Sequence, residues 1–308
     1  MLRQIKGLHH VTSIGASAPA IDAFQTGVLG LRRVKKTVNF DAPDVYHLYY
    51  GDAVGAPGTV MTYFPFSDAG RGRRGTGEVS VTRFAIPEGT IDAWQERLSG
   101  LDVGGLERED IFGAAAVAFD GPDGDRFALV ESSDDRAPWS GGDVPERIAV
   151  RGFHSVEVRL AEIGAQGDLL RFMGYERGET AGARTRFALP AGGPASVIDI
   201  VEAPGAPAAT QGAGSVHHIA FAVENRARQL EVREALVDAG VAVTPVIDRD
   251  YFWAIYFRTP GGVLFEIATN EPGFDRDEDR AHLGEALKLP SQHEHLRATL
   301  ERRLEPIG

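Results

Sequence analysis

Short apolar runs alternating with polar positions recur along this chain, and a stretch with helical spacing follows the first run of each group. Residues 8–14 alternate as a half-buried strand does. A helix is expected next, with Asp22 near its start and Phe24 and Val28 inside it, stopped by Gly27 and Gly30. Strands are expected at residues 32–40, 46–51 and 59–64. The order then repeats. Residues 79–86 read as a strand, 91–98 as a helix with Ile91, Trp94 and Leu98 on one face, and 114–119 and 126–131 as strands about a Gly121-Pro122-Asp123-Gly124 turn. A third unit places a strand at 153–158, a helix near 165–172, and strands near 185–189 and 196–201. In the fourth, a strand at 216–223 precedes a helix at 227–239, with Leu230, Ala235, Leu236 and Ala239 at helical spacing and Gly240 ending it. Strands at 241–246, 252–259 and 263–268 close that unit.

Four strand-helix-strand-strand-strand units at a period of roughly 65 residues imply a repeated architecture. The fold class expected is α+β: four βαβββ modules whose short curved sheets pair into cups with ligand-holding concave faces. The first domain spans 1–132 and the second 151–270, each with two modules. The Gly-, Pro- and Asp-rich stretch 133–150 is the linker. Residues 271–308 form a charged segment and a helix with Leu296, Leu300 and Leu304 on one face, which packs on the core or on another copy in a homo-oligomer.

Composition narrows the partners. The chain has 308 residues, 43% hydrophobic and 25% charged, as soluble globular domains do. Its formal charge of −12 argues against nucleic acid or an anionic membrane surface. No apolar run approaches a bilayer span and no signal-peptide layout is present, so a cytoplasmic location is expected. With no cysteine, any metal must be held by His, Asp or Glu.

Two strands begin with paired histidines, His9-His10 and His217-His218, and a third carries a carboxylate, Glu266, within an apolar run. Two imidazoles and one carboxylate make a metal-binding triad. Alternation puts His10 and Thr12 on one face, with His9 on the other. His218 shares its face with the small Ala220 and Ala222, which leave room for a ligand, whereas His217 shares its face with Ile219, Phe221 and Val223. His10, His218 and Glu266 are therefore the expected ligands, and the first and fourth modules must then share one cup. His154, at the equivalent place in the third module, is the rival, ranked lower because Val156 and Val158 crowd its face. Aligned on their turns, the closing strands put Ala128 and Tyr63 opposite Glu266. His47, His282, His293 and His295 are assigned no role.

The motifs Gly7-Leu8-His9-His10-Val11-Thr12, Tyr46-His47-Leu48-Tyr49-Tyr50-Gly51-Asp52, Arg151-Gly152-Phe153-His154-Ser155, His217-His218 and Thr259-Pro260-Gly261-Gly262-Val263-Leu264-Phe265-Glu266 resemble the vicinal oxygen chelate superfamily over nearly the whole chain. The resemblance is to its ring-cleaving, extradiol-type dioxygenase branch acting on hydroquinones. It implies two glyoxalase/extradiol-dioxygenase-like domains, Fe(II) on His10, His218 and Glu266 with Mn(II) as the alternative metal, and supporting roles for His9, Thr12, His217, Arg249 and Tyr256. The implied reaction inserts both atoms of O2 into a dihydroxylated aromatic ring and opens it, in aromatic compound degradation. Asp250 and Trp253 depart from the pattern and are expected near the pocket. A glyoxalase-type isomerase or lyase and a metal-free protein sequestering a hydrophobic compound are the competing readings.

Overall fold

The computed structural model describes residues 1–190 and 192–308. The first module contains β1 (Leu8–Gly15), α1 (Ala18–Ala23), β2 (Arg32–Val38), β3 (Tyr46–Gly51) and β4 (Val60–Pro65). The second contains β5 (Glu78–Ile86), α2 (Ile91–Gly100), β6 (Glu107–Ile111), β7 (Ala114–Asp120) and β8 (Arg126–Glu131). The third contains β9 (Gly152–Leu160), α3 (Gly164–Phe172), β10 (Glu176–Ala181), β11 (Arg184–Ala188) and β12 (Val197–Glu202). The fourth contains β13 (Ser215–Val223), α4 (Arg226–Asp238), β14 (Ile247–Asp248), β15 (Phe252–Arg258) and β16 (Leu264–Pro272), with α5 (Arg297–Arg303) in the tail. Residues 132–151 hold no helix or strand.

The modules pair across the two halves of the chain. One curled eight-stranded sheet runs β14-β15-β16-β13-β1-β4-β3-β2, from the fourth and first modules. The other runs β10-β11-β12-β9-β5-β8-β7-β6, from the third and second. A shared site on His10 and His218 requires the first of these pairings. Packing across the modules holds the sheets together: Phe24 of the first lies against Phe119 and Phe127 of the second, and Tyr175 of the third meets Phe221 of the fourth.

Three expectations need correction. The edge strands β6 and β10 were not anticipated, because Glu-Arg-Glu-Asp-Ile and Glu-Arg-Gly-Glu-Thr-Ala lack an apolar alternation; charge on an exposed edge protects it from pairing with another chain. The strand expected at 241–246 shrinks to a bridge between Val243 and Phe257 and the two-residue β14. On α4 the buried face is Gln229, Val232 and Leu236, while Leu230 is exposed; Asn225 caps its start by accepting from the Arg228 N–H.

At the centre of each sheet two antiparallel strands carry one extra residue apiece. In the first sheet the bulged residues are His9 and His217; in the second they are Ser80 and His154. Three residues beyond these bulges the second sheet places Arg83 and Glu157, where the first has Thr12 and Ala220. Arg83 is fully buried and bridges Glu157 and Asp199, the latter at 3.2 Å; Arg184 and Arg186 complete the cluster at 2.9 Å from Glu157 and Asp199 respectively. Because it leaves two buried carboxylates short of a partner, Arg83→Met should lower stability by about 3–5 kcal/mol in denaturant melts while leaving metal binding in the other sheet intact.

A further buried acid sits between the first two modules. Asp125 accepts from the Tyr63 hydroxyl at 2.8 Å, and burial pushes its carboxyl up to about 6. The folded state then binds more protons than the unfolded state between roughly pH 4 and 6, so this group's contribution to stability falls as pH rises through that window. Asp125→Asn should remove that fall, gaining roughly 3 kcal/mol on the wild type between pH 4 and 7 in pH-dependent melts.

Candidate metal centre

Antiparallel pairing of β1 with β13 sets His10 and His218 on the same face of the first sheet, and parallel pairing of β13 with β16 puts Glu266 beside Ala220. The three side chains converge. His218 Nε2 is 2.9 Å and His10 Nε2 3.4 Å from Glu266 Oε2, and the two nitrogens are 3.3 Å apart. All three residues are buried. No donor is properly aligned with either carboxylate oxygen. A buried anion left in that condition costs several kcal/mol, and a cation on the three converging lone pairs removes the cost. The donor set therefore fits a divalent metal ion, and among the described residues it is the cluster of this kind that the fold assembles.

The bulges re-aim the first histidine of each pair, contrary to the plain alternation expected of a strand. His9 Nδ1 lies 2.9 Å from His10 Nδ1, and His217 Nδ1 lies 2.7 Å from His218 Nδ1. For Nε2 of His10 and His218 to meet a cation, their Nδ1–H groups must donate to these neighbours. Burial, helped by the adjacent imidazole, pushes both His9 and His217 down to about 3, so they stay neutral and accept. The two differ in their other nitrogen. His9 is enclosed, whereas His217 lines the cavity.

That cavity has a volume of about 360 Å³ and apolar walls that include Phe40, Phe64, Phe66, Phe252 and Leu264. Arg249 and Tyr256 also face it, 3.3 Å apart, and Arg249 reaches Asp41 across the mouth at 3.3 Å. Thr12 stands opposite His218 and hydrogen-bonds Thr62 at 2.8 Å. The predicted group of eight residues is thus gathered at one place. His154 is not part of it: it lies on the other sheet, 2.9 Å from the Ser155 hydroxyl. Asp250 and Trp253 adjoin the lining residues Arg249 and Phe252, near the cavity as expected, but Asp250 turns to Arg276 and Trp253 lies beneath Arg226, so neither lines it.

Two further residues emerge from the geometry. Pairing of Thr12 with Thr62 reproduces that of Ala220 with Glu266, so Thr62, and not Tyr63, is the counterpart of Glu266 in the first module. The Pro57 turn enters its strand one residue sooner than the Pro260 turn, which offsets an alignment on turns. His47, assigned no role from the sequence, is buried in the cavity wall. The alternation in Tyr46-His47-Leu48-Tyr49 was the available signal, since it puts His47 and Tyr49 on one face.

A model of the Glyoxalase/Bleomycin resistance protein/Dioxygenase superfamily matches residues 152–267. MhqO of Bacillus subtilis (strain 168), which carries "ring-cleaving dioxygenase" as a provisional name, is 41% identical over 309 residues, covering 100% of this chain and 98% of that protein. The chain belongs to the ring-cleaving dioxygenase branch of this superfamily. Chlorohydroquinone/hydroquinone 1,2-dioxygenase of Sphingobium indicum is also similar to this family member, 38% identical over 99% of the chain and 98% of the relative. A crystal structure of a provisionally named dioxygenase from Bacillus subtilis superposes with a TM-score of 0.96 at 40% identity, covering 99% of this chain and 98% of that one. Glyoxalase I from Zea mays, 12% identical with a TM-score of 0.64 over 86% of this chain and 92% of its own, shares the fold.

Calorimetric titration with Mn(II) should give about one site per chain. His10→Ala and Glu266→Ala should each abolish it and His154→Ala should leave it unchanged, while His9→Phe, which removes only the acceptor behind His10, should weaken it about 10–100-fold.

Proposed function

We propose that this protein is an Fe(II)-dependent dioxygenase that opens the ring of a hydroquinone or a related dihydroxylated aromatic and inserts both atoms of O2. One observation carries the reading: three metal-binding groups meet beside an apolar cavity of about 360 Å³, and the symmetry-related fourth position holds the Thr62 hydroxyl in place of a carboxylate. Three protein ligands on one side leave about three metal positions for substrate and dioxygen. A glyoxalase-type isomerase would ask for the missing carboxylate. Sequestration without metal would leave Glu266 buried for no return. The hydroquinone class is supported by the relative named for that activity.

His10, His218 and Glu266 would hold Fe(II), and Mn(II) suits the same donors. When bound, iron supplies electron transfer to dioxygen and acidifies a ring hydroxyl. The remaining work belongs to the chain's own residues. Phe40, Phe64 and Phe252 hold the ring and exclude water. Arg249, its charge steadied by Tyr256 and Asp41, faces the oxyanion that develops as the ring opens. His217 has its Nδ1 committed to His218, so its Nε2 is the atom that holds or passes a proton at the substrate. His9 orients His10 from behind, and Thr12 borders the site beside His218.

After anaerobic reconstitution with Fe(II), oxygen uptake should begin on adding hydroquinone or its methyl and chloro derivatives, at one O2 per ring lost. Arg249→Met and Tyr256→Phe should retain iron and lower kcat about 10- to 1000-fold. Uptake that is absent with every hydroquinone and catechol, while a hemithioacetal is isomerised, would sink the dioxygenase reading.

A further inference from the structure

Among the described residues that line the cavity, Arg249 carries the one fixed positive charge, and Asp41 and Glu266 are the carboxylates. The guanidinium is engaged on two sides. Its Nε donates to Tyr256 Oη at 3.3 Å, and Nη1 and Nη2 both donate to Asp41 Oδ2, at 3.4 and 3.3 Å. Its central carbon lies 5.4 Å from the centre of the Phe40 ring and 5.5 Å from that of Tyr256. A planar guanidinium takes a carboxylate through two parallel N–H groups on one edge. Asp41 holds the Nη1–Nη2 edge and Tyr256 holds one N–H of the Nε edge, so neither edge keeps such a pair free.

Asp41 is fixed at the mouth by its backbone, although its side chain is 80% exposed. Asn39 Oδ1 accepts from the Asp41 N–H at 2.8 Å and from the Ala42 N–H at 3.3 Å, and the Asn39 N–H donates to the Val45 carbonyl at 2.8 Å. From the tail, His293 Nε2 donates to the Phe40 carbonyl at 2.8 Å. Charge points the same way as geometry. Counting fixed charges alone, a divalent ion and Arg249 against Glu266 and Asp41 leave a net charge of +1. An uncharged diol that binds as its monoanion brings the site to zero. A ring that also bears a carboxylate would leave an uncompensated negative charge in an apolar enclosure, which is costly without a free cation to pair with it.

We propose that Asp41 is a specificity-determining residue: by occupying the carboxylate-binding edge of Arg249 at the mouth, it confines the site to aromatic diols without an anionic substituent and turns carboxylated ones away. This rests on reading the cavity as a metal-dependent aromatic-diol site and adds the charge of the ring that it accepts. The two N–H groups of Arg249 left over lie on different edges, so they can meet an oxyanion singly but not grip a carboxylate as a pair.

The test is calorimetric binding to the Fe(II)-loaded full chain without oxygen. The ligands are hydroquinone, 2,5-dihydroxyphenylacetate and the neutral amide of the latter, which has the same shape. Wild type should bind the amide about tenfold more tightly than the acid. In Asp41→Asn the acid should gain about tenfold relative to the amide, the lower end of what a hydrogen bond to a charged group contributes, because the mouth is open to water. Adding Arg249→Met to Asp41→Asn should abolish that gain. Equal binding of acid and amide by wild type, rejection of the amide along with the acid, an unchanged ratio in Asp41→Asn, or a gain that survives Arg249→Met each overturns the proposal. A wild-type protein that binds metal but no hydroquinone overturns the underlying reading of the site, and the role of Asp41 with it.

Discussion

Burial of Glu266 is the constraint on which the first sheet is built. Its carboxylate is wholly enclosed, set against two imidazoles and without an aligned donor. Such a group is tolerable only if a positive charge comes to it. Because the imidazoles arrive from strands more than two hundred residues apart, that charge also ties the first module to the fourth. A metal held there would couple its binding to assembly of this sheet, as happens wherever ligands are brought together only by folding.

The second sheet meets the same problem with protein atoms alone. It has the same central pair of bulged strands, and its buried acids Glu157 and Asp199 are neutralised by Arg83, Arg184 and Arg186. Guanidinium groups fill the volume that a ligand would need. In the first sheet the corresponding positions are Thr12 and Ala220, too small to fill it, and the space becomes the cavity. One architecture therefore yields an open cup and a closed one through the size and charge of a few inward side chains.

The tail contributes to the open cup. Lys35 is fully buried with its ammonium between Asp277, at 2.6 Å, and Glu278, and Tyr251 donates to the same Asp277 at 3.0 Å. Phe274 and Leu283 pack with Tyr49, Tyr251 and Phe252 on the sheet's ligand-bearing side. The charged run of the tail is in part a clamp behind the site, which supports Tyr251 next to Arg249 and Tyr49 next to His47.

Much of this protein was legible in the amino-acid order. Periodicity determined the repeated modules and most strands, because alternation at two and spacing near 3.6 are local consequences of backbone geometry. The paired histidines and the carboxylate in an apolar run determined the candidate ligand types, since an acid on a buried strand demands a partner. What alternation could not decide was anything requiring register between distant strands. The bulges at His9 and His217, the equivalence of Thr62 with Glu266, the place of His47 in the cavity wall and the arginine-filled second cup depend on which residue faces which across a ladder. The edge strands β6 and β10 were hidden for a related reason: they owe their conformation to hydrogen bonds with a neighbouring strand and not to an apolar face of their own. Local sequence sets what each segment can be, and only tertiary pairing sets what it meets.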